Sequence, residues 1–156
     1  TIKNPISRSV DLKIYVPQKI SNINCKIVSG KIKIFDQIKC NLNIEMNMVN
    51  TEISVFKGKI VLKGDKGDLR INSGQLLPDS FVKLNNGSII IKAELASQGK
   101  YDFETDIGNV DLTFPKESKI NIENIGMLDV NEFISEDATT KVSVVTGMGK
   151  ITLKKY

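Results

Sequence analysis

Three acidic residues alternate along one short segment of the chain, where Asp102, Glu104 and Asp106 are separated by single residues. In an extended strand, alternate side chains lie on one side at a spacing of about 7 Å. Carboxylates placed in this way, with Asp111 following after a turn, could bind calcium or flank a glycosidic bond. A solvated strand face shows the same alternation, however, and calcium requires about six or more oxygen ligands. We therefore interpret these carboxylates as a solvated face and predict neither a metal site nor catalytic residues here.

Histidine is absent from the sequence, which removes the commonest general base, the usual catalytic triad and most zinc sites. One segment, residues 131–140, breaks the regular pattern of the chain and carries Glu132, Glu136 and Asp137. A catalytic pocket would have to be built on this insertion, because regular strands offer no concave site. We predict that the chain is not an enzyme and that it binds no cofactor and no structural metal.

A glycine-rich segment and two cysteines have structural interpretations. Residues 63–68, KGDKGD, lack the spacing and the following helix of a phosphate-binding loop, so we predict a polar corner. Cys25 and Cys40, which are 15 residues apart, are interpreted as small buried apolar side chains. A disulfide between them stays open as an alternative.

A recurring pattern of alternating apolar residues around a glycine predicts the elements that position these side chains. Apolar residues or threonines lie seven, five and three residues before the glycine, and two and four residues after it. The clearest copies surround Gly30, Gly108 and Gly149, and successive copies are 16–23 residues apart. Further copies are assigned to Thr51, Gly67, Gly87 and, with a poorer match, Gly126, and a half-repeat is assigned to Leu12 and Ile14.

A period of this size is typical of stacked repeats that can bury their apolar faces only against one another. We predict an all-β fold, a right-handed, single-stranded parallel β-helix (a solenoid) with rungs of about 20 residues. An antiparallel sandwich is the alternative. Residues 1–156 then form a single domain, which we expect to be part of a longer protein because the chain begins at Thr1.

The solenoid makes geometric predictions that a structure can test. Lys33, Ser54 and Asp111 should point outward. At the ends, residues 1–9 or 131–140 should cover part of an open edge, and Lys154 and Lys155 should guard the other end with charge. One buried residue per rung should form a column, which we predict to be Ile32, Ile53, Leu69, Ile89, Val110 and Ile151.

The charge of the chain points to no nucleic-acid partner. The net charge is +4, but the basic residues are lysines scattered along the whole sequence, with arginine only at Arg8 and Arg70. Nucleic-acid binding favours clustered arginines and stacking aromatics. No run approaches the roughly 20 apolar residues of a membrane span.

Three phrases of the sequence resemble a bacterial adhesin domain family. They are VDLKIYVP with NCKIVSGKIKIF, then YDFETDIGNVDLTFPKESKINIEN, then VSVVTGMGKITL. The resemblance runs from about Ser7 to Leu153 and departs from the family pattern at Thr51 and at residues 131–140. It implies a right-handed β-helix, often found in proteins of the bacterial cell envelope, and provides no catalytic residues to carry over.

The expected function is therefore non-catalytic. We expect an extracytoplasmic cell-envelope solenoid that presents a surface for adhesion, or for interaction with a protein or cell-wall polymer, with any membrane anchor outside the given chain. The sequence identifies neither the partner nor the oligomeric state. A sensory or regulatory domain of a membrane-anchored envelope-stress protein is the first alternative, and a polysaccharide-active enzyme is the second.

Overall fold

The computed structural model describes residues 13–17, 19–96, 98–134 and 138–156. In these residues the chain is an all-β solenoid of parallel strands, with about six turns and a spacing of roughly 20 residues. Every strand pairing is parallel, which excludes the antiparallel sandwich. No helix in the described part of the chain has the length and apolar character needed to cross a membrane.

Twelve strands are formed in the described residues. They are β1 (Asn22–Lys39), β2 (Asn41–Gly58), β3 (Ile60–Lys66), β4 (Leu69–Ile71), β5 (Gly74–Leu76), β6 (Ser80–Asn86), β7 (Ile89–Lys92), β8 (Glu94–Leu95), β9 (Gly99–Ile107), β10 (Val110–Phe114), β11 (Asn121–Asn131) and β12 (Thr140–Lys155).

The rungs of the solenoid bend at corners, and the strands form three sheets that we call faces A, B and C. Face A contains β3, β6 and β9 together with the first halves of β1, β2, β11 and β12. Face B contains β4, β7 and β10 with the second halves of those longer strands. Face C is short and consists of β5 and β8 beside the ends of β1 and β2.

Side chains that point inward stack in columns across the rungs and form the core. On face A, Ile44, Leu62, Val82, Phe103 and Val144 are in register with one another, and each is at most 2% exposed. Alternation of inward and outward side chains along each strand produces these columns, because rungs in register bring like positions together. The predictions that Lys33, Ser54 and Asp111 point outward agree with their exposed or partly exposed side chains.

One member of the predicted column on face B is wrong. Thr51, not Ile53, pairs with Ile32 and Leu69, and Ile53 belongs to the next column, opposite Ile71. The remaining column is as predicted, since Leu69, Ile89, Val110 and Ile151 are in register and fully buried. Ile32 is half-buried because β1 is the first rung.

The misplaced column has a local cause. The bend between faces A and B, which we call the A/B corner, lies at Val49 in the second rung, because Gly30 is in register with Val49. Thr51 is therefore inward and 2% exposed, and its hydroxyl lies 3.7 Å from the Sδ of Met46. A glycine or a polar residue was expected at the corner, so the corner was predicted at Thr51, two residues after its actual position.

The last two rungs are stacked in the reverse of their order in the chain. β12 pairs with β9 and β10 on one side and with β11 on the other, so β11 is the terminal rung. Lys154 and Lys155 lie in the penultimate rung, and the prediction that they guard an end is wrong. After β10 the chain first forms β11, the terminal rung. It then forms β12, which lies between β11 and the rung of β9 and β10.

The described part of the insertion covers part of this end, as predicted for residues 131–140. Phe133 is 6% exposed and makes an edge-to-face contact with Phe114, with ring centroids 6.1 Å apart. Residues 1–9, the other predicted cover, lie outside the described residues, as does Leu12. Ile14 is 67% exposed in a segment without strand structure, so the predicted half-repeat is wrong there.

Candidate functional site

The outward surface of face A crosses seven rungs of the described structure. One outward column crosses five rungs in register and consists of Lys26, Glu45, Lys63, Lys83 and Glu104. Parallel strands in register lie about 4.8 Å apart, so charged side chains in such a column reach their neighbours on the next rung. The column therefore forms a line of closely spaced charges along the solenoid axis.

Two ion pairs form within this column. Lys26 Nζ lies 3.0 Å from Glu45 Oε2, and Lys83 Nζ lies 2.7 Å from Glu104 Oε1. The hydrogen bond and the charge of Glu104 raise the pKa of Lys83. Lys63 lies between the two pairs and makes no ion pair with any described residue. Its ammonium is thus the cation of the column without a carboxylate partner in the described structure.

A shallow depression of about 430 Å³ runs beside this column. On one side it is lined by the lysines and Glu45 of the column, and on the other by Val28, Asn47, Asp65 and Asn85. Three residues at inward positions also line it, namely Ile27, Met46 and Gly64. We call this depression the face A furrow. It crosses the strands, so its long direction follows the solenoid axis.

Gly64 lines the furrow at a position where a larger side chain would not fit. It occupies an inward position between Met46 and Leu84, and a Cβ there would lie 2.8 Å from Met46 side-chain atoms and 2.9 Å from Leu84 Cδ2. The prediction that residues 63–68 form a polar corner is right only for Gly67 and Asp68, because residues 63–66 belong to β3.

The carboxylates singled out in the sequence do not assemble into one site. Asp102, Glu104 and Asp106 alternate on the outer side of β9, as the pattern predicted. Lys100 pairs with Asp102 at 3.0 Å and Lys83 pairs with Glu104. Asp111 lies on β10, on face B. Among the described residues no group of three or more His, Cys, Asp or Glu side chains is arranged to hold a metal ion.

The acidic residues of the insertion are only partly described. Glu132 Oε2 accepts a hydrogen bond of 2.7 Å from the backbone N–H of Lys155, which ties the insertion to β12. Glu136 and Asp137 lie outside the described residues. In the described structure Glu132 therefore has a structural contact.

Both cysteines are free. Cys25 is half-buried on β1 opposite Ile44, and Cys40 is buried just before β2. Burial raises the pKa of both thiols, and the nearby Cys25 raises that of Cys40 further. Since the thiolate is the reactive form, a raised pKa lowers the fraction of reactive thiolate at both cysteines. This agrees with their interpretation as small apolar side chains and gives no support to the disulfide.

A ladder of short polar side chains was missed in the sequence. At the position after the A/B corner, each side-chain oxygen accepts a hydrogen bond from a backbone N–H of the next rung: Asn50 from Asp68 (3.0 Å), Asp68 from Ser88 (2.7 Å), Ser88 from Asn109 (3.4 Å) and Asn109 from Lys150 (2.9 Å). The signal was present in the sequence, because Gly67, Gly87 and Gly108 are each followed by Asp, Ser or Asn.

Comparison with protein-family models, with curated proteins and with solved structures finds no match to this chain.

Proposed function

We propose that this chain is a non-catalytic cell-envelope scaffold that binds an extended partner, a cell-wall polymer carrying negative groups, along the face A furrow. The observation that carries the proposal is Lys63, a cation without a carboxylate partner among the described residues, placed in a furrow between two satisfied ion pairs. A bound carboxylate or phosphate would supply the charge that this lysine lacks.

The shape of the furrow favours a polymer over a compact ligand. Its lining residues come from four successive rungs, which span roughly 14 Å along the axis at about 4.8 Å per rung. Buried ligand sites are mostly enclosed and apolar, whereas this furrow is open and lined by lysines, carboxylates and amides. Amides and carboxylates of this kind hydrogen-bond hydroxyl groups, so a sugar polymer with acidic groups matches the lining.

The resemblance to the adhesin domain family supports the cell-envelope setting. The absence of histidine supports the non-catalytic character, as do the ion pairs that Asp102 and Glu104 of β9 make with lysines. An open surface without a concentrated acid cluster suits binding better than hydrolysis, which requires two positioned carboxyl groups.

The test is a binding measurement with purified chain and a panel of cell-wall polymers that includes acidic and neutral members. We expect Lys63→Glu to weaken binding to the acidic polymers at least about tenfold, which corresponds to about 1.4 kcal/mol. The matched control is Lys57→Glu, the same charge change at an exposed position of β2 outside the furrow. Equal losses in both variants would show that only net charge matters and would contradict the furrow.

The non-catalytic part of the proposal has its own test. The purified chain is incubated with the same polymers, and release of reducing ends is followed. Turnover that disappears in Glu132→Ala, Glu136→Ala or Asp137→Ala variants of unchanged fold would contradict the proposal.

A further inference from the structure

Face A carries one aromatic side chain on its outward surface in the described part of the chain, and this is Phe81. Phe81 lies on β6 between the buried residues Ser80 and Val82, so it points away from the core and is partly exposed. Val61 is in register with it on β3 and points outward in the same way. We propose that Phe81 and Val61 are the base of a binding site for neutral sugar rings of a polysaccharide chain. This site lies outside the face A furrow and goes beyond the proposed binding of negative groups there.

The two apolar residues lie in the middle of an outward column with polar ends. The column crosses five rungs in register and consists of Asn24, Asn43, Val61, Phe81 and Asp102. We call its last four residues the Phe81 platform. Asn43 and Asp102 are three rungs apart, roughly 14 Å at about 4.8 Å per rung. The platform is therefore longer than one sugar ring, and its length favours a segment of a chain over a free monosaccharide.

The chemistry of the platform matches that of a sugar ring, which has a face of C–H groups and a rim of hydroxyl groups. The C–H face loses water when it packs on an aromatic ring, and the negative face of the aromatic ring attracts the C–H hydrogens. Among the described residues no other ring and no cation stacks on Phe81. The exposed part of this ring is therefore open to a ligand.

Polar groups at both ends of the platform are held in place within the protein. Asn43 Nδ2 donates a hydrogen bond of 2.8 Å to Asn24 Oδ1, which leaves Asn43 Oδ1 as an acceptor. Asp102 Oδ1 lies 3.0 Å from Lys100 Nζ, which leaves Oδ2 as an acceptor. Sugar hydroxyls donate to amide and carboxylate oxygens of this kind. Because both side chains are already oriented by protein partners, binding orders fewer groups and costs less conformational entropy.

The charges around the platform favour a neutral ligand. Lys59 pairs with Asp79 at 4.0 Å on one side of the platform, and Lys83 pairs with Glu104 at 2.7 Å on the other. A charged group on the platform would have to compete with these pairs, whereas a neutral sugar leaves them intact. Lys63 borders the platform beside Val61 and is the cation that we assign to the furrow, on the far side of the charged column.

The first experiment places a fluorescent reporter on the platform. The sequence contains no tryptophan, so Phe81→Trp gives a chain whose only tryptophan lies at the site. The variant is titrated with neutral hexasaccharides of glucose, N-acetylglucosamine and mannose, and with the three monosaccharides. We expect at least one hexasaccharide to shift the emission with a dissociation constant on the order of 1 mM, and the monosaccharides to bind more weakly. Phe35→Trp, at a 71% exposed position of β1 outside face A, is the matched control and should not respond.

The second experiment measures binding of the same hexasaccharides to the unmodified chain by saturation-transfer NMR. Saturation of aromatic protons should transfer to the ring protons of the sugar, and Phe81→Leu should remove this transfer. Phe81→Ala should weaken binding at least about fivefold, the loss expected when roughly 40 Å² of apolar contact is removed. Phe35→Ala should leave binding unchanged, and circular dichroism checks that each variant keeps its fold.

The site is distinguished from the furrow by Lys63→Glu, which should leave binding of the neutral hexasaccharides within about twofold. Neutral binding that is lost in Lys63→Glu but kept in Phe81→Ala would put the sugar in the furrow and overturn this proposal. So would an unchanged emission of Phe81→Trp with every hexasaccharide up to about 10 mM, or equal responses of the two tryptophan variants. Failure of acidic polymers to bind, with neutral binding intact, would overturn the furrow proposal alone.

Discussion

The A/B corner provides the sharpest test of how the rungs stack. At Gly108, φ is +145°, and a Cβ would lie 2.1 Å from the carbonyl oxygen of Gly87 in the preceding rung. Gly87 faces Gly67 in the same way at 2.0 Å. Gly30 has a similar φ of +142°, but nothing lies within 4 Å of its added Cβ, because it belongs to the first rung. Gly108→Ala and Gly30→Ala therefore share the backbone strain and differ in the steric contact.

The magnitudes follow from this difference. A non-glycine residue in a sparsely populated backbone region costs about 1–3 kcal/mol, and both variants bear that cost. Gly108→Ala must in addition push two rungs apart, and overpacking of a tight interior costs a further 1–3 kcal/mol, approximately. The hydrogen bonds from Gly108 N–H to Met148 O (2.8 Å) and from Thr146 Oγ1 to Gly108 O (2.9 Å) lie beside the added methyl group. We expect Gly108→Ala to lose about 2–6 kcal/mol and Gly30→Ala about 1–3 kcal/mol.

Urea unfolding measures both variants, and hydrogen exchange of β1 separates local opening of the first rung from loss of global stability. The exchange measurement matters because Gly30 lies in an end rung, where fraying reduces the effect on global unfolding. Equal losses, with β1 equally protected in both proteins, would refute the steric account and leave only the backbone strain.

Other changes test the buried polar groups and the cover at the β11 end. Thr105→Val removes the hydroxyl that donates to the Gly87 carbonyl at 2.8 Å and should cost about 1–3 kcal/mol in urea unfolding, whereas Thr113→Val on an outward position should stay within about 0.5 kcal/mol. Burial raises the pKa of Tyr101 from 10.0 to about 12, so the folded state holds the phenolic proton more tightly than the unfolded state does. The contribution of this group to the free energy of unfolding should be full below pH 10 and fall as the pH rises towards about 12. Tyr101→Phe should abolish this loss. Phe133→Ala should cost about 3 kcal/mol, against less than about 0.5 kcal/mol for its exposed neighbour Ile134→Ala, by thermal or urea unfolding.

The fold was predictable because the solenoid repeats one local rule. Alternation around a corner glycine reproduces the inward residues of β9, β10 and β12 without error, including the threonines Thr105 and Thr146, which are at most 2% exposed. These threonines satisfy the corner carbonyls through their hydroxyls, so they are part of the core despite their polarity. The pattern fails at the second rung, where Val49 makes the corner without a glycine.

The order of the last two rungs was not predictable from the repeat, because any rung that fits the template can stack on any other. The structure shows which property decides it. β12 has two strand neighbours and keeps strict alternation of buried residues over Val142, Val144 and Thr146. β11 has one, and its alternation is irregular, with register shifts near Gly126 and Asp129. β11, the less regular strand, is the terminal rung, where it pairs with one described strand instead of two.

The candidate furrow was not visible in the sequence for a different reason. Its charges come from four rungs, and the partners of Lys83 and Lys26 are 21 and 19 residues away. Outward positions follow no apolar pattern, so their pairing depends on a register that the sequence template had shifted by two residues in the second rung. With the corner at Val49, Glu45 falls beside Lys26, and the isolated position of Lys63 becomes apparent.

The ladder after the A/B corner shows how that register could have been found. In the four middle rungs this position holds an acceptor for a backbone N–H of the next rung, namely Asn50, Asp68, Ser88 and Asn109. A corner at Thr51 would have put Glu52 in the ladder, whereas a corner at Val49 puts Asn50 there. The same position holds Lys31 in the first rung and Lys150 in the rung beneath β11, and a lysine cannot accept a hydrogen bond. The ladder thus ends where regular stacking ends, at the first rung and at the rung beneath β11.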